Sequence, residues 1–317
     1  MEIVAVDIGG THARFAIAEI GRGGVRLGAE TVLRTGDFTG LAEAWQAFGQ
    51  SAGRPLPAAA GIAIAAPVEG ETIKLTNNAW VLRPATLHAE LGVEHVTLVN
   101  DFAAVAYAVS VCEDAQLAHV CGPDVPLPRN GPVSIVGPGT GLGVALLLRG
   151  PDGDQVIATE GGHIGFAPGD AIEDRLLARL RARYGRVSVE RTASGAGLAD
   201  IHAELAGDDG PIDDRSLWGR ALAGEDLDAV AALDRFCAIL GAAAGDIALA
   251  QGANAVVIAG GLGLRLAQHL PHSAFVARFR AKGRFEARMA ALPVRLITHA
   301  QPGLLGAAAA FAAQHTR

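Results

Sequence analysis

Asp7-Ile8-Gly9-Gly10-Thr11 and Gly137-Pro138-Gly139-Thr140-Gly141 are two glycine turns of one design, each set between two apolar runs. Glycine lets a chain turn tightly and approach an anion, and successive N–H groups in such a turn form a concavity for phosphate. A Walker loop or a dinucleotide fingerprint would lead from strand into helix, with Gly-Lys-Ser/Thr or a third glycine at fixed spacing. Here a strand-like run follows both turns, at residues 14–18 and 144–148. A carboxylate at Asp7 would repel phosphate unless a divalent cation lay between them. Mg²⁺ takes one or two carboxylates, several waters and phosphate oxygens, so Asp7 reads as a Mg²⁺ anchor acting through water. The plainer alternative is a turn aspartate bonding its own backbone amides.

Three further groups carry chemistry. Asn100-Asp101 lies between a strand-like and a helix-like run, where α/β proteins place ligands. An Asp there can accept the proton of a substrate hydroxyl during phosphoryl transfer, although it is also a good helix N-cap. Glu160-Gly161-Gly162-His163 joins a carboxylate to an imidazole across two glycines. The glycines point to a loop rather than a helical metal pair, and that combination suits several hydroxyls, each both donor and acceptor. Glu190 can add another acceptor; on its own it reads as a partner of Arg191 or a solvent-facing side chain. Gly260-Gly261 ends a short apolar run before a helix and suits a nucleotide lying on the backbone, or an ordinary strand-to-helix turn.

The elements that must position these groups alternate in type. Strand-like runs occur at 3–6, 25–33, 59–65, 95–99, 133–136, 155–159, 255–259 and 294–297. Helical spacing occurs at Leu41, Trp45 and Phe48, at Leu87 and Leu91, and over 101–111, 172–184, 227–249 and 304–311. Such alternation predicts an α/β sheet covered by helices. The Pro- and Gly-rich stretch 122–132 reads as a linker between two lobes, with the ligand in the cleft they form.

The composition excludes several classes. Half of the 317 residues are hydrophobic and 19% are charged, which describes a globular chain with a large core. The net charge of −7 without a Lys/Arg run argues against nucleic acid or an anionic membrane as partner. Cys112, Cys121 and Cys237 show no paired spacing and read as buried or semi-buried thiols in a reducing compartment. Neither a leader-like segment nor a membrane span is evident, so the expected location is the cytoplasm.

Taken in order, these motifs resemble the bacterial glucokinases of the hexokinase–actin-like ATPase superfamily, outside its ROK branch. The likeness runs almost end to end through DIGGTHAR (7–14), LTNNAW (75–80), VNDFAAVAYA (99–108), GPGTGLGVA (137–145), EGGHIGFAP (160–168), ERTASGAGL (190–198), IAGGL (258–262), KGRF (282–285) and PGLLGA (302–307). The resemblance implies ATP-dependent phosphorylation of D-glucose to glucose 6-phosphate with Mg²⁺, in a cytoplasmic homodimer. It implies a two-lobed, actin-like (ribonuclease H-like) α/β fold with a ligand cleft. The smaller domain would comprise 1–111 completed by the C-terminal helix 301–317, and the larger domain 112–300. Asp101 matches the catalytic base. Asn100, Asp101, Glu160, His163 and Glu190 match the sugar ligands. Asp7, Ile8, Gly9, Gly10 and Thr11, with Gly139, Thr140 and Gly141, match the phosphate loops, and Gly260 and Gly261 the adenosine-side turn. The chain carries His12, Pro138 and Val6 where the family commonly has Asn, Ala and Gly.

Two rival readings remain at this level. One is a kinase for another hexose or an amino sugar on the same scaffold, since hydroxyl readout depends on geometry. The other is a non-catalytic sugar sensor. With a strand-like run beginning at Ile3 and no basic helix before it, no DNA-binding module is expected, and Asp101 favours a catalyst.

Overall fold

The computed structural model describes residues 1–75, 78–207, 210 and 213–316. Thr76 and Asn77 of the LTNNAW motif and the terminal Arg317 lie outside the described residues. The chain divides into two compact units. The first comprises Met1–Glu113, Pro151–Ala158 and His299–Arg317, the second Asp114–Gly150 and Thr159–Thr298.

The first unit is built on β1 (Glu2–Ile8), β2 (His12–Gly21), β3 (Gly24–Leu27), β4 (Thr31–Arg34), α1 (Leu41–Ala52), β5 (Ala59–Ile64), β6 (Ile73–Lys74), β7 (Val81–Leu82), α2 (Pro84–Leu91), β8 (His95–Asn100) and α3 (Asp101–Val111). Its main sheet runs β3-β2-β1-β5-β8, with β4 also on β2. β1 is antiparallel to β2 and parallel to β5, which is parallel to β8. Strands covered on both faces read as continuous apolar runs, and every residue of β5 is buried. One face packs Val4, Val6, Ile8 and Ile62 against Trp45, Phe48, Trp80 and Leu87. The other packs Ile3, Ala5 and Ala16 against Leu304, Ala308 and Phe311 of the C-terminal helix (Pro302–His315).

The single strand expected over 25–33 is two. Gly28 N–H donates to Ile17 O (2.8 Å), and the chain then shifts along β2. β3 pairs with residues 18–21 of β2 and β4 with residues 12–15, so one segment covers both ends of a long strand.

The second unit contains β9 (Leu117–Cys121), β10 (Gly131–Pro138), β11 (Leu142–Arg149), α4 (Ala171–Tyr184), α5 (Gly197–Ala206), α6 (Asp214–Ala223), α7 (Leu227–Ala250), β13 (Ala255–Ile258), α8 (Gly260–Arg265), α9 (Phe275–Arg280), α10 (Glu286–Ala290) and β14 (Val294–Ile297). The strand β12 (Gln155–Thr159) straddles the division between the units. The sheet runs β11-β10-β13-β14-β9. β10 is antiparallel to β11 and parallel to β13. This repeats the arrangement of β1 with β2 and β5, so each glycine turn joins an antiparallel pair whose first strand has a parallel neighbour. The stretch 122–132 lies inside the second unit, where it joins β9 to β10, and is not a connector between units. Among the described residues no helix is long and apolar enough to cross a membrane.

Candidate active site

In the first unit, Asp7 and Asn100-Asp101 stand at the carboxyl ends of parallel strands. The registers align Asp7 with Ala63 and Ala63 with Val99, which puts the two acidic positions on one sheet edge. Two strand spacings separate them, roughly 10 Å. That edge is where open α/β sheets place ligands.

Asn100, not Asp101, is the N-cap of α3. Its Oδ1 accepts from Phe102 N–H (2.9 Å) and Ala103 N–H (3.2 Å), and its Nδ2 donates to Ala66 O (3.2 Å). An amide carries two N–H donors, so one remains for a ligand oxygen. Asp101 occupies the first helical position, and its Oδ1 accepts from Phe102 N–H at 2.8 Å. The carboxylate is thereby fixed by the backbone rather than spent on capping.

Asp7 carries the strongest electrostatic signature of the site. Burial is the main cause of its raised pKa, about 6 against the usual 3.8. Arg14 opposes that rise, while the charges of Asp101 and Glu30 add to it. Arg14 Nη1 lies 3.7 Å from Asp7 and its Nε 3.2 Å from Glu30. Gln301 Nε2 in turn donates to Glu30 (2.7 Å). The C-terminal helix comes so close that a Cβ at Gly303 would stand 2.5 Å from the Asp7 carboxylate. A largely buried carboxylate beside a glycine turn could hold a divalent cation. Among the described residues no three His, Cys, Asp or Glu side chains converge as a metal set, so such a cation would draw its other ligands from phosphate and water.

The first glycine turn is held from behind. Gly9 N–H donates to His12 O (2.9 Å), Thr35 Oγ1 to Gly10 O (2.9 Å), Thr35 N–H to Thr11 O (3.0 Å) and Asn78 Nδ2 to Gly9 O (3.4 Å). Ile8 is buried beneath it and Thr11 is exposed. Thr35 carried no signal of its own in the sequence, and Arg14 carried one only as the end of DIGGTHAR. Asn78 and Trp80 carried one only as part of LTNNAW.

In the second unit, the turn Gly139-Thr140-Gly141 closes on itself through Gly139 N–H to Gly141 O (2.8 Å) and is tied to the next motif by Gly195 N–H to Gly139 O (2.8 Å). Glu190 sits in a 3₁₀ turn (Val189–Arg191), and its Oε2 accepts from Leu142 N–H at 3.0 Å. Its carboxylate fills the space a Cβ on Gly141 would need, which ties the identity of that glycine to Glu190. Arg191 does not pair with Glu190 but lies over the Tyr184 ring at 4.2 Å. Gly260 adopts φ +79°, and a Cβ there would meet Pro138 O at 2.6 Å. Gly260-Gly261 therefore lies against the second glycine turn and opens α8. Glu160 precedes a 3₁₀ turn (Gly161–His163) that His163 ends, with His163 Nε2 3.9 Å from Glu160 Oε2 and both side chains exposed. Arg186 anchors the loop by donating to His163 O (2.6 Å).

The three cysteines stand apart from these groups. All are free thiols, and burial pushes Cys112 and Cys121 to about 11 and Cys237 to about 12, as expected of inert packed thiols.

Each unit thus carries a glycine turn next to polar side chains held by the backbone. A family model described as Glucokinase matches residues 4–315. The glucokinase of Zymomonas mobilis subsp. mobilis is 58% identical over 321 residues, covering 100% of this chain and 99% of that protein. The glucokinase of Xanthomonas oryzae pv. oryzae is 40% identical over 320 residues, covering 97% of this chain and 94% of that protein. The crystal structure of a glucokinase from an Antarctic psychrotroph matches with a TM-score of 0.87 at 32% identity, covering 97% of this chain and 98% of that one.

Proposed function

The chain belongs to the glucokinase family, and on that footing we propose that it transfers the terminal phosphoryl group of ATP to the primary hydroxyl of D-glucose with Asp101 as base. The observation that carries the reading is the pair of acids on one sheet edge: Asp101 anchored by Phe102 N–H, and Asp7 buried beside the braced turn.

Phosphoryl transfer asks for positioning and charge stabilisation more than for covalent chemistry. Asp101 orients the primary hydroxyl and takes its proton as the new O–P bond forms. Asn100 offers its remaining N–H to a neighbouring sugar oxygen. Glu190, held through Oε2, presents Oε1 to a hydroxyl, and Glu160 with His163 supplies an acceptor and an imidazole 3.9 Å apart. A sugar lacking a partner hydroxyl leaves such groups unpaired, which in a desolvated site discriminates on the order of 10⁴-fold. The amides of residues 9–11 and 139–141 receive phosphate oxygens, and Gly260-Gly261 receives the adenosine side. Asp7 would hold Mg²⁺ through water. When bound, that ion neutralises charge on the β- and γ-phosphates. We further assign the working protein as a cytoplasmic homodimer, in keeping with its family.

A coupled assay for ADP release with Mg-ATP across glucose, mannose, fructose, glucosamine and N-acetylglucosamine tests the substrate. Turnover concentrated on glucose is expected. Preference for another sugar overturns the substrate assignment, and binding of glucose without turnover on any sugar makes the chain a sensor.

A further inference from the structure

We propose that Thr35 and Trp80 are positioning residues that aim the amides of the first glycine turn at the nucleotide phosphate; this rests on the turn being a phosphate clamp. The described chain has no cis peptide bonds, and in a trans peptide the C=O and the following N–H point in opposite directions. Whatever fixes the carbonyls of Gly9 and Gly10 therefore fixes the direction of the N–H groups of Gly10 and Thr11. Thr35 Oγ1 takes Gly10 O at 2.9 Å, and Asn78 Nδ2 reaches Gly9 O at 3.4 Å. Thr35 N–H takes Thr11 O at 3.0 Å and closes the same side of the turn.

These bonds form one connected brace. Trp80 Nε1–H donates to Thr35 O (3.2 Å) and Phe38 O (3.0 Å), and Trp80 N–H donates to Asn78 Oδ1 (2.9 Å). Trp80 thus holds both residues that hold the turn. Thr35 is 5% exposed and Trp80 2%, so water does not replace a bond lost here. The opposite side of the turn carries the exposed Thr11 and the partly exposed Gly10, where a phosphate can approach. Successive amides held in one direction form an anion concavity, and a concavity fixed before binding loses no affinity to ordering.

Thr35→Val keeps the shape and removes the hydroxyl. Steady-state kinetics should show the KM for Mg-ATP raised about 10-fold, with the KM for glucose within about 2-fold of wild type. Binding of a fluorescent ADP analogue should weaken by the same factor, and Thr35→Ser should restore both. Trp80→Phe, which keeps a buried ring and removes the indole N–H, should move the same constants in the same direction by a smaller factor. Equal rises in both KM values, or a lowered Tm with unchanged nucleotide affinity, would reduce the brace to a packing element and overturn the proposal. Gly10→Val, a lesion in the turn itself, separates the two levels of the inference. If it weakens nucleotide while Thr35→Val and Trp80→Phe do not, only the brace fails. If Gly10→Val leaves the Mg-ATP constant untouched, the clamp reading itself fails and the brace with it.

Discussion

Asp101→Asn lowers kcat on the order of 10²–10⁴-fold while glucose still binds, because a general base contributes about that much to proton transfer. Asparagine is the informative replacement. Its side-chain oxygen can still accept from Phe102 N–H, as Asp101 Oδ1 does at 2.8 Å, but it cannot take up the substrate proton. The helix start survives, since the cap of α3 is Asn100, which accepts from Phe102 and Ala103. Loss of turnover through unfolding is therefore not expected, and a Tm close to wild type checks that. Glucose binding is measured by calorimetry or by the fluorescence of the three tryptophans. A kcat within a few-fold of wild type would remove Asp101 from the proton transfer.

Asp7→Asn has two effects of opposite sign. Turnover with Mg-ATP falls on the order of 10²-fold, as for loss of one preorganised charge-stabilising group. In metal-free protein, stability rises. The sign follows from the raised pKa. A carboxyl group at about 6 in the folded chain, against 3.8, binds its proton more tightly folded than unfolded. The folded state is favoured at low pH, and that advantage is lost as pH climbs from about 4 to about 6. Above that window the ionised Asp7 destabilises the fold by up to about 3 kcal/mol, given 1.36 kcal/mol per pKa unit. Its side chain is only 21% exposed, so solvent screening removes little of this. Asparagine carries no such charge, so both the burial cost and the repulsion from Asp101 and Glu30 contained in that figure are relieved. Thermal unfolding in EDTA at pH 7.5 should give a higher Tm for Asp7→Asn, and the two proteins should converge below pH 4. A lower Tm for the variant at pH 7.5 would show that the ion pair with Arg14 outweighs burial.

The two predictions together describe one sheet edge on which a buried acid costs stability in the empty protein and acts in the loaded one. Such sites are where local rules are broken for function.

The sequence made the edges of that site legible and left its supports hidden. The apolar runs flanking both glycine turns became β1, β2, β10 and β11, and 101–111 became α3 with the same bounds, because periodicity and caps are local signals. Asp101 read as a helix N-cap, but the backbone of Asn100 (φ −62°, ψ 147°) and its side-chain bonds make Asn100 the cap. The reading of Glu190 as a partner of Arg191 followed sequence proximity, whereas the structure joins it to Leu142, 48 residues away. The break at Gly28 depended on Ile17 of β2, and the compositional signature of 122–132 marks a loop whether or not it divides units. Thr35 and Gln301 belong to no motif quoted from the sequence, and Arg14 only closes DIGGTHAR. Thr35 and Gln301 act through contacts 25 and 271 residues away, of which a local pattern carries no trace.

The most direct measurement is the proton-coupled ³¹P spectrum of a reaction containing this protein, Mg-ATP and glucose. Phosphorylation of the primary hydroxyl predicts one new phosphomonoester resonance split into a triplet by the two methylene protons, growing in step with ADP. A doublet, from phosphate on a ring carbon, or inorganic phosphate as the sole product would contradict the account.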